Sequence, residues 1–366
     1  MTLLRFNLIQ LVLCWFCVCS LPSIAADLSN TVIYRPSQLT AKNIAVIFNQ
    51  NDAKSIEVAD YYVSARNIPA QNLIGLDIPA EVQNTISPER FAILKQSIDS
   101  RLNADIEVIV MVWTSPFAVS CNSITSAMTL GYQAAQCEDL CGVGKPSPYF
   151  NSASLHPFRD LGIRLSMLIP TDSVPAAKAL IDRGVLSNFS VNEGSAYFLK
   201  TSDAARSKPR ERFFPKDLDT VQSRKLYLRT LNTEQIQHKR DVMFYFTGQT
   251  AVSHLDTLNF LPGAVGDHLT SFGGDLTLSN PSRITQWTEA GATGSYGTVS
   301  EPCNYWQKFS NPQVLMSHYL AGETLIESYW KSVAWPTQGL FIGEPLATPY
   351  QKIPLTTEAM SPIKAD

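Results

Sequence analysis

The chain has 366 residues, 45% hydrophobic and 17% charged, with 29 Lys and Arg against 32 Asp and Glu. A formal net charge of −3 argues against a nucleic-acid partner, which demands a basic face. The apolar fraction suffices for a sizeable core over 26–350, built as one large α/β domain or as two fused halves, 40–200 and 201–350.

Residues 1–25 read as a secretory signal peptide. Arg5 is their one charge, Leu8 to Cys19 forms an apolar core, Pro22 breaks it, and Ser23-Ile24-Ala25 supplies small residues before a cleavage site. The core is short for a bilayer span, and no later stretch is long and apolar enough to cross one. The mature chain is therefore expected to be exported, periplasmic or extracellular, and to meet any partner there. Four cysteines remain after cleavage: Cys121, Cys137, Cys141 and Cys303. In an oxidising compartment an even count points to up to two disulfides, with Cys137 and Cys141 bridging each other or pairing with Cys121. Zinc is the weaker reading, because no histidine stands at finger-like spacing before His156.

Strand-like and helix-like segments then alternate. Asn43 to Asn49 is a buried-strand run, followed by a helix that Asn51 or Asp52 can cap. Asn72 to Asp77 is the next strand, and Ser87-Pro88-Glu89 opens a helix with cap, proline and acid in place. Ile106 to Trp113 is apolar almost throughout, as a central strand covered on both faces would be. Residues 120–170 read as irregular. Pro175 to Asp182 is a helix stopped by Gly184, Ala196 to Lys200 a strand, Ser202 to Pro215 a charged loop and Leu218 to Leu231 a helix. Asp241 to Phe246 is a second central strand, with helices around Ala264–Ser271 and Ser282–Ala290. Thr293–Val299 and Gly339–Ile342 close the series as strands, separated by helices at Pro312–Leu320 and Thr324–Val333, and 351–366 reads as a flexible tail. The pattern is that of a mostly parallel sheet flanked by helices on both faces.

Ligands of such sheets bind beyond the carboxyl ends of the strands. Asp52, Asp203 and Gln249 fall there as candidate ligand contacts. His254, Asp267, His268 and Glu301 are the candidates for chemistry, as ligands of a divalent metal or as a base with its orienting acid. The plainer reading, that Asp267 and His268 pin a helix start, is favoured by the lack of HExxH-like spacing. The sequence names no cofactor and leaves its identity unknown; phosphate binding finds no support, since G-x-x-x-x-G-K-[ST] and G-x-G-x-x-G are both missing, as is the G-x-S-x-G elbow of a serine nucleophile. Arg206, Lys208, Arg210 and Arg212 read as a solvated loop ahead of an anion clamp. Trp113, Trp287, Trp306, Trp330 and Trp335 read as core and seam ahead of sugar stacking.

The layout resembles the caspase- and gingipain-type cysteine peptidase fold, in which one strand ends in a His-Gly-type loop and the next in the nucleophilic cysteine. Phe244 to Gln249 stands at the histidine loop with Gln249 in place of histidine, and Leu258 to Gly263 stands at the cysteine segment without a cysteine. Gly291 to Val299 matches the Gly-Ala-rich strand, and Gly343-Glu344-Pro345 matches the closing Gly-Asp-Pro with Glu344 for aspartate. The chain is also similar to an uncharacterised family of bacterial exported proteins. That likeness rests on Tyr61-Tyr62…Arg66-x-Ile68-Pro69, on Pro262-Gly263-Ala264…Asp267-His268-Leu269-Thr270-Ser271 and on the Gly-Asp-Pro-Leu-like end. The peptidase resemblance, with its dyad missing, implies a binding or surface-associated module acting through its strand-end loops. The alternative is a hydrolase, metal-assisted or not, using His254, Asp267, His268 and Glu301. Cys303 beside Glu301 is a poor substitute nucleophile, because the carboxylate raises a thiol pKa.

Overall fold

The computed structural model describes residues 34–79, 81–188, 193–215 and 219–351. The signal-peptide reading of 1–25 lies outside these residues, as does the tail reading beyond Gln351. The first half of the chain supplies β1 (Ile44–Asn49), β2 (Leu73–Leu76), β3 (Thr85–Ile86), β4 (Val108–Val112), β5 (Ala118–Val119), β6 (Asn122–Ser123) and β7 (Leu165–Ile169). The second supplies β8 (Gly194–Lys200), β9 (Asp219–Val221), β10 (Leu226–Asn232), β11 (Val242–Thr247), β12 (Phe260–His268), β13 (Gly294–Thr298) and β14 (Gly339–Gly343). The helices are α1 (Ala53–Arg66), α2 (Pro88–Asp99), α3 (Ile124–Leu130), α4 (Ala135–Glu138), α5 (Pro157–Leu161), α6 (Val174–Ser187), α7 (Ala204–Glu211), α8 (Thr285–Glu289), α9 (Pro312–Leu320) and α10 (Leu325–Ser332).

Eleven strands form one sheet in the order β2-β1-β4-β7-β14-β13-β12-β11-β8-β10-β9, and β3, β5 and β6 form a small separate one. Every residue of β4, β7, β11, β13 and β14 is buried, which requires cover on both faces. That cover comes from α1, α6 and α8 packed together, and from α9 and α10 packed on each other. Trp330 of α10 stacks on Phe341 of β14, ring centroids 4.3 Å apart, and donates its indole N–H to the Ser166 carbonyl of β7. The α/β class read from the sequence holds. Among the described residues no helix is long and apolar enough to cross a membrane.

One feature of the sheet is absent from the sequence reading. β2, β1, β4, β7 and β14 run parallel to one another, as do β13, β12, β11, β8 and β10, but β14 pairs with β13 antiparallel. The two sets therefore point their carboxyl ends to opposite edges of the sheet. The strand ends do not form one common face.

Several element boundaries also differ from expectation. In place of the helix expected over 218–231, the described residues from Asp219 onward form β9, one 3-10 turn at Gln222–Arg224 and β10, in which Leu226, Leu228 and Thr230 are buried in alternation, the period of two of a strand on an outer position of the sheet. The segment expected as a helix over 264–271 is the end of β12, to His268, and the turn after it, and Gly266 sits there because a Cβ would fall on the Trp287 ring. Residues 202–215 contain α7, whose start is capped by the Asp203 side chain accepting from Arg206 N. α6 continues through Gly184 to Ser187, and 120–170 holds three short helices and β7. Leu258 to Gly263 includes the beginning of β12, so the segment matched to a strand end is its start.

Candidate functional site

The carboxyl ends of β11, β12 and β13 hold most of the polar residues singled out from the sequence. Thr247 of β11 pairs with His268 of β12, and Asp267 precedes it with 1% of its surface exposed. Arg210, carried in from α7, donates from Nη1 to Asp267 Oδ1 at 2.5 Å and from Nη2 to the Thr247 carbonyl at 2.6 Å. Ser310 Oγ donates to the other Asp267 oxygen. Burial pushes the Asp267 carboxyl upward, while Arg210 and Ser310 pull it back. Three elements are locked together by this cluster, and none of its groups faces solvent. Arg210 is thus no surface charge: it is 1% exposed and stacks over Phe246.

His268 is enclosed as well. Its Nδ1 accepts from Trp287 Nε1 at 3.0 Å, so the neutral ring carries its proton on Nε2. Burial, reinforced by the Arg210 charge, pushes its pKa down to about 3, while the backbone of Ser282 acts weakly the other way. His254 lies elsewhere, exposed and in the left-handed region at φ 60°. Its carbonyl accepts from Thr257 Oγ1 at 2.8 Å, and Thr257 Oγ1 in turn accepts from His238 N at 3.2 Å. That turn is held beside the chain entering β11, whereas His268 pairs at the far end of the same six-residue strand, roughly 17 Å away. Metal bonds of ~2 Å cannot be made by both rings. Among the described residues no group of three or more His, Cys, Asp or Glu is placed to hold a metal ion.

Glu301 folds back on its own loop, accepting from Cys303 N at 2.7 Å. The Gln249 amide donates to the Glu234 carbonyl. Asp203 caps α7 and pairs with Arg206 at 2.9 Å. Asp52 caps α1, accepting from Lys54 N at 3.0 Å, and follows β1 on the opposite edge of the sheet. The structure brings Asp267 and His268 together as strand neighbours and does not gather His254, Glu301, Asp52, Asp203 and Gln249 around them. Helix capping accounts for Asp52 and Asp203, and an interior ion pair for Asp267.

The cysteines settle a second point. Cys121 pairs with Cys137 and Cys141 with Cys303, so each cysteine among the described residues is in a disulfide. Of the pairings the sequence left open, Cys137 takes Cys121 and not Cys141, and Cys303 offers no thiol. The second disulfide ties residues 133–145 to the loop that follows β13. On that loop Cys303 and Asn304 both have left-handed φ, 59° and 57°, a costly pair for residues with a Cβ.

The face so constructed carries exposed rings and an open pocket. Tyr305 is 46% exposed and lies 6.1 Å, ring to ring, from half-buried Trp335. Trp306 meets Phe213 edge-on at 4.9 Å, with Arg212 over it at 5.1 Å. Alongside is a cavity of about 400 Å³ bordered by Gln133, Gln136, Asp139 and the 142–145 turn. Sequence reasoning missed this face, because Gln136 and Trp335 lie about 200 positions apart. Its one legible signal was the pairing arithmetic of the cysteines.

Two solved structures are similar to the chain in layout. One is a protease, with a TM-score of 0.47 and 13% identity over 90% of this chain and 81% of that one. The other is the Arg-specific cysteine proteinase gingipain R, with a TM-score of 0.46 and 11% identity over 86% and 80%. No protein-family model matches the sequence, and no curated protein is similar to it.

Proposed function

We propose that this chain is an exported binding module that carries no cysteine-peptidase chemistry, and that it binds through the disulfide-tied face around Tyr305 and Trp335. One observation carries the reading: Asp267, His268 and Cys303, which could have served hydrolysis, are each tied up within the fold. Asp267 is held by Arg210 and Ser310, His268 is buried and neutral, and Cys303 is bonded to Cys141. Two disulfides suit an oxidising compartment, which agrees with the export signal read at the N-terminus.

The test is direct. The mature, oxidised protein is incubated with fluorescent casein and a panel of peptide and ester substrates, beside Cys303→Ala. No turnover above buffer is expected from either. Peptide hydrolysis by the wild type that disappears in Cys303→Ala would overturn the reading. The metal-assisted alternative is tested by elemental mass spectrometry: a stoichiometric zinc or manganese that is lost in His268→Ala would favour it, and a metal-free protein is expected.

A further inference from the structure

We infer that the groove between α2 and the edge strand β2 binds a linear aliphatic carboxylate, its head on Arg101 and its tail along Ile93 and Leu94. This groove shares no residue with the Tyr305–Trp335 face, and a ligand in it is additional to the function proposed above. The two sides of α2 are put to different uses. Phe91 and Ile98 are buried in the core. Arg90, Ile93, Leu94, Ser97 and Arg101 recur at i, i+3, i+4, i+7 and i+11, which sets them in one stripe along the helix and just past its end. All five line a cavity of about 380 Å³ whose other wall is Leu76, Ile78, Val82 and Ile86. That volume falls within the ~300–1,000 Å³ common for small-molecule sites. A single exposed isoleucine is ordinary on a surface, but Ile93, 70% exposed, continues an aliphatic floor. Among the described residues no aromatic ring lines the cavity, which suits a flexible alkyl chain better than a flat ring.

The charges on the wall select the head group. Two arginines, Arg90 and Arg101, stand there against one acid, Asp77, in a chain whose net charge is −3. Asp77 is already engaged, its Oδ1 accepting from Asn51 Nδ2 at 2.6 Å. Arg90 pairs with Glu81 at 3.5 Å, but both side chains are more than half exposed and water screens the pair. Arg101 has no ion-pair partner among the described residues, and Asp99, two positions before it, is taken by Lys95 at 2.8 Å. Arg101 Nη1 donates to the Gly75 carbonyl at 3.0 Å and Nη2 to Ser97 Oγ at 3.2 Å. These bonds hold the guanidinium at the groove and leave further N–H groups for a carboxylate.

The same contact disfavours an added peptide strand. β2 is an edge of the eleven-stranded sheet, and an open edge invites strand addition. The Leu76 carbonyl accepts from Gln50 N at 2.9 Å on the β1 side, so the Gly75 carbonyl turns outward. Arg101 occupies it. In a strand of four residues this removes a pairing position that a peptide needs and an alkyl chain does not.

The experiment uses the full mature protein with its disulfides intact. Octanoate and decanoate are titrated by calorimetry below their micelle-forming concentrations, beside decanol and decyltrimethylammonium. Decanoate should bind at one site per chain, about fifteenfold tighter than octanoate, the effect of two buried methylenes. Decanol should bind about tenfold more weakly than decanoate, and the cation more weakly still. Ile93→Glu, at an exposed position, sets a negative charge beside the tail and should abolish decanoate binding. Arg101→Met should weaken decanoate about tenfold and leave decanol unchanged, which shows that the groove itself is intact. Val143→Ser, exposed and outside the groove, should bind as the wild type does. Absence of decanoate binding overturns the assignment, and so does equal affinity for decanol, or decanoate binding that Ile93→Glu leaves unchanged. Sedimentation velocity of the free protein examines the other occupant: a dimer that Ile93→Glu dissociates would give the groove to a second copy and overturn the assignment. None of these results bears on the function proposed above, which the substrate panel tests.

Discussion

Arg210 and Asp267 form an ion pair at 2.5 Å with side chains only 2% and 1% exposed, so the acid that sequence marks for catalysis instead fastens α7 to the sheet. Burying two charges is expensive, and the pair is tolerable only because Ser310 and the Thr247 carbonyl complete its hydrogen bonds. Removing one partner strands the other. Arg210→Met should cost about 3–5 kcal/mol, and replacing both partners with Arg210→Met/Asp267→Leu should cost clearly less than the two single changes added. Urea unfolding of the four proteins measures this. Simple additivity would show that the two side chains do not depend on each other.

The buried histidine gives a pH dependence of known sign. His268 has its pKa depressed from 6.5 to about 3, chiefly by burial. The folded state therefore keeps the ring neutral where the unfolded chain takes up a proton. The stabilisation is fully present above about pH 6.5 and drains away as pH falls toward 3, at up to ~1.4 kcal/mol per pH unit. Carboxylates also titrate in this range, so the informative quantity is the difference from His268→Gln, which keeps a hydrogen-bond acceptor for Trp287. Wild-type stability should fall more steeply than the variant's between pH 6.5 and 4. Parallel curves would mean that the ring is not held neutral by its surroundings.

The central strands were legible because burial on both faces leaves a plain mark: Val108–Val112 and Val242–Thr247 are almost wholly apolar. β12 left no such mark, since Pro262, Gly263 and Gly266 interrupt its run, and these are explained only by neighbours distant in sequence such as Trp287. The antiparallel seam between Gly294–Thr298 and Gly339–Gly343 could not be read locally either, because strand direction is set by pairing across the fold. That one unread relationship moved Asp52 to the opposite edge from Gln249. The dispersal of the candidate site residues has a related reason. Residue type and position past a strand do not distinguish a free carboxylate from one that caps a helix, as Asp52 and Asp203 do.

Thiol chemistry offers a third check. Mature protein lacking residues 1–25, unfolded in urea without reductant, should react with no thiol reagent, and after reduction should titrate four cysteines, Cys121, Cys137, Cys141 and Cys303. Cys303→Ser opens the bridge that joins positions 162 residues apart, and should cost about 2–5 kcal/mol of stability. Peptide mapping of the oxidised protein must then show Cys141 linked to Cys303. A Cys137–Cys141 peptide in its place would remove the tie between pocket and aromatic loop.

The closing Gly343-Glu344-Pro345 and the early Tyr62…Arg66 pair, two blocks that stand far apart in the sequence, meet inside the protein. Tyr62 donates to Glu344 Oε1 at 2.9 Å, Arg66 Nε donates to the same oxygen at 3.0 Å, and Leu346 N reaches it at 3.2 Å. Glu344 is fully buried, so α1 of the first half and the end of the last strand share one ion pair. Gly184 is part of the same arrangement: a Cβ there would lie 2.6 Å from Glu344 Cβ and closer still to its carboxylate. Helix propensity alone favours alanine over glycine by ~1 kcal/mol in mid-helix. Here the sign should reverse, and Gly184→Ala should destabilise by about 1–3 kcal/mol through overpacking against a side chain that cannot move without breaking its bonds to Tyr62 and Arg66. Glu344→Gln keeps the shape but removes the charge, leaving Arg66 without its anion, and should cost about 3 kcal/mol or more. In the double variant Gly184→Ala/Glu344→Ala the added methyl regains room, so the alanine at 184 should become neutral or stabilising. Thermal and urea unfolding of the set decide the matter, and a Gly184→Ala protein as stable as the wild type would show that α6 is free to shift away from the closing strand.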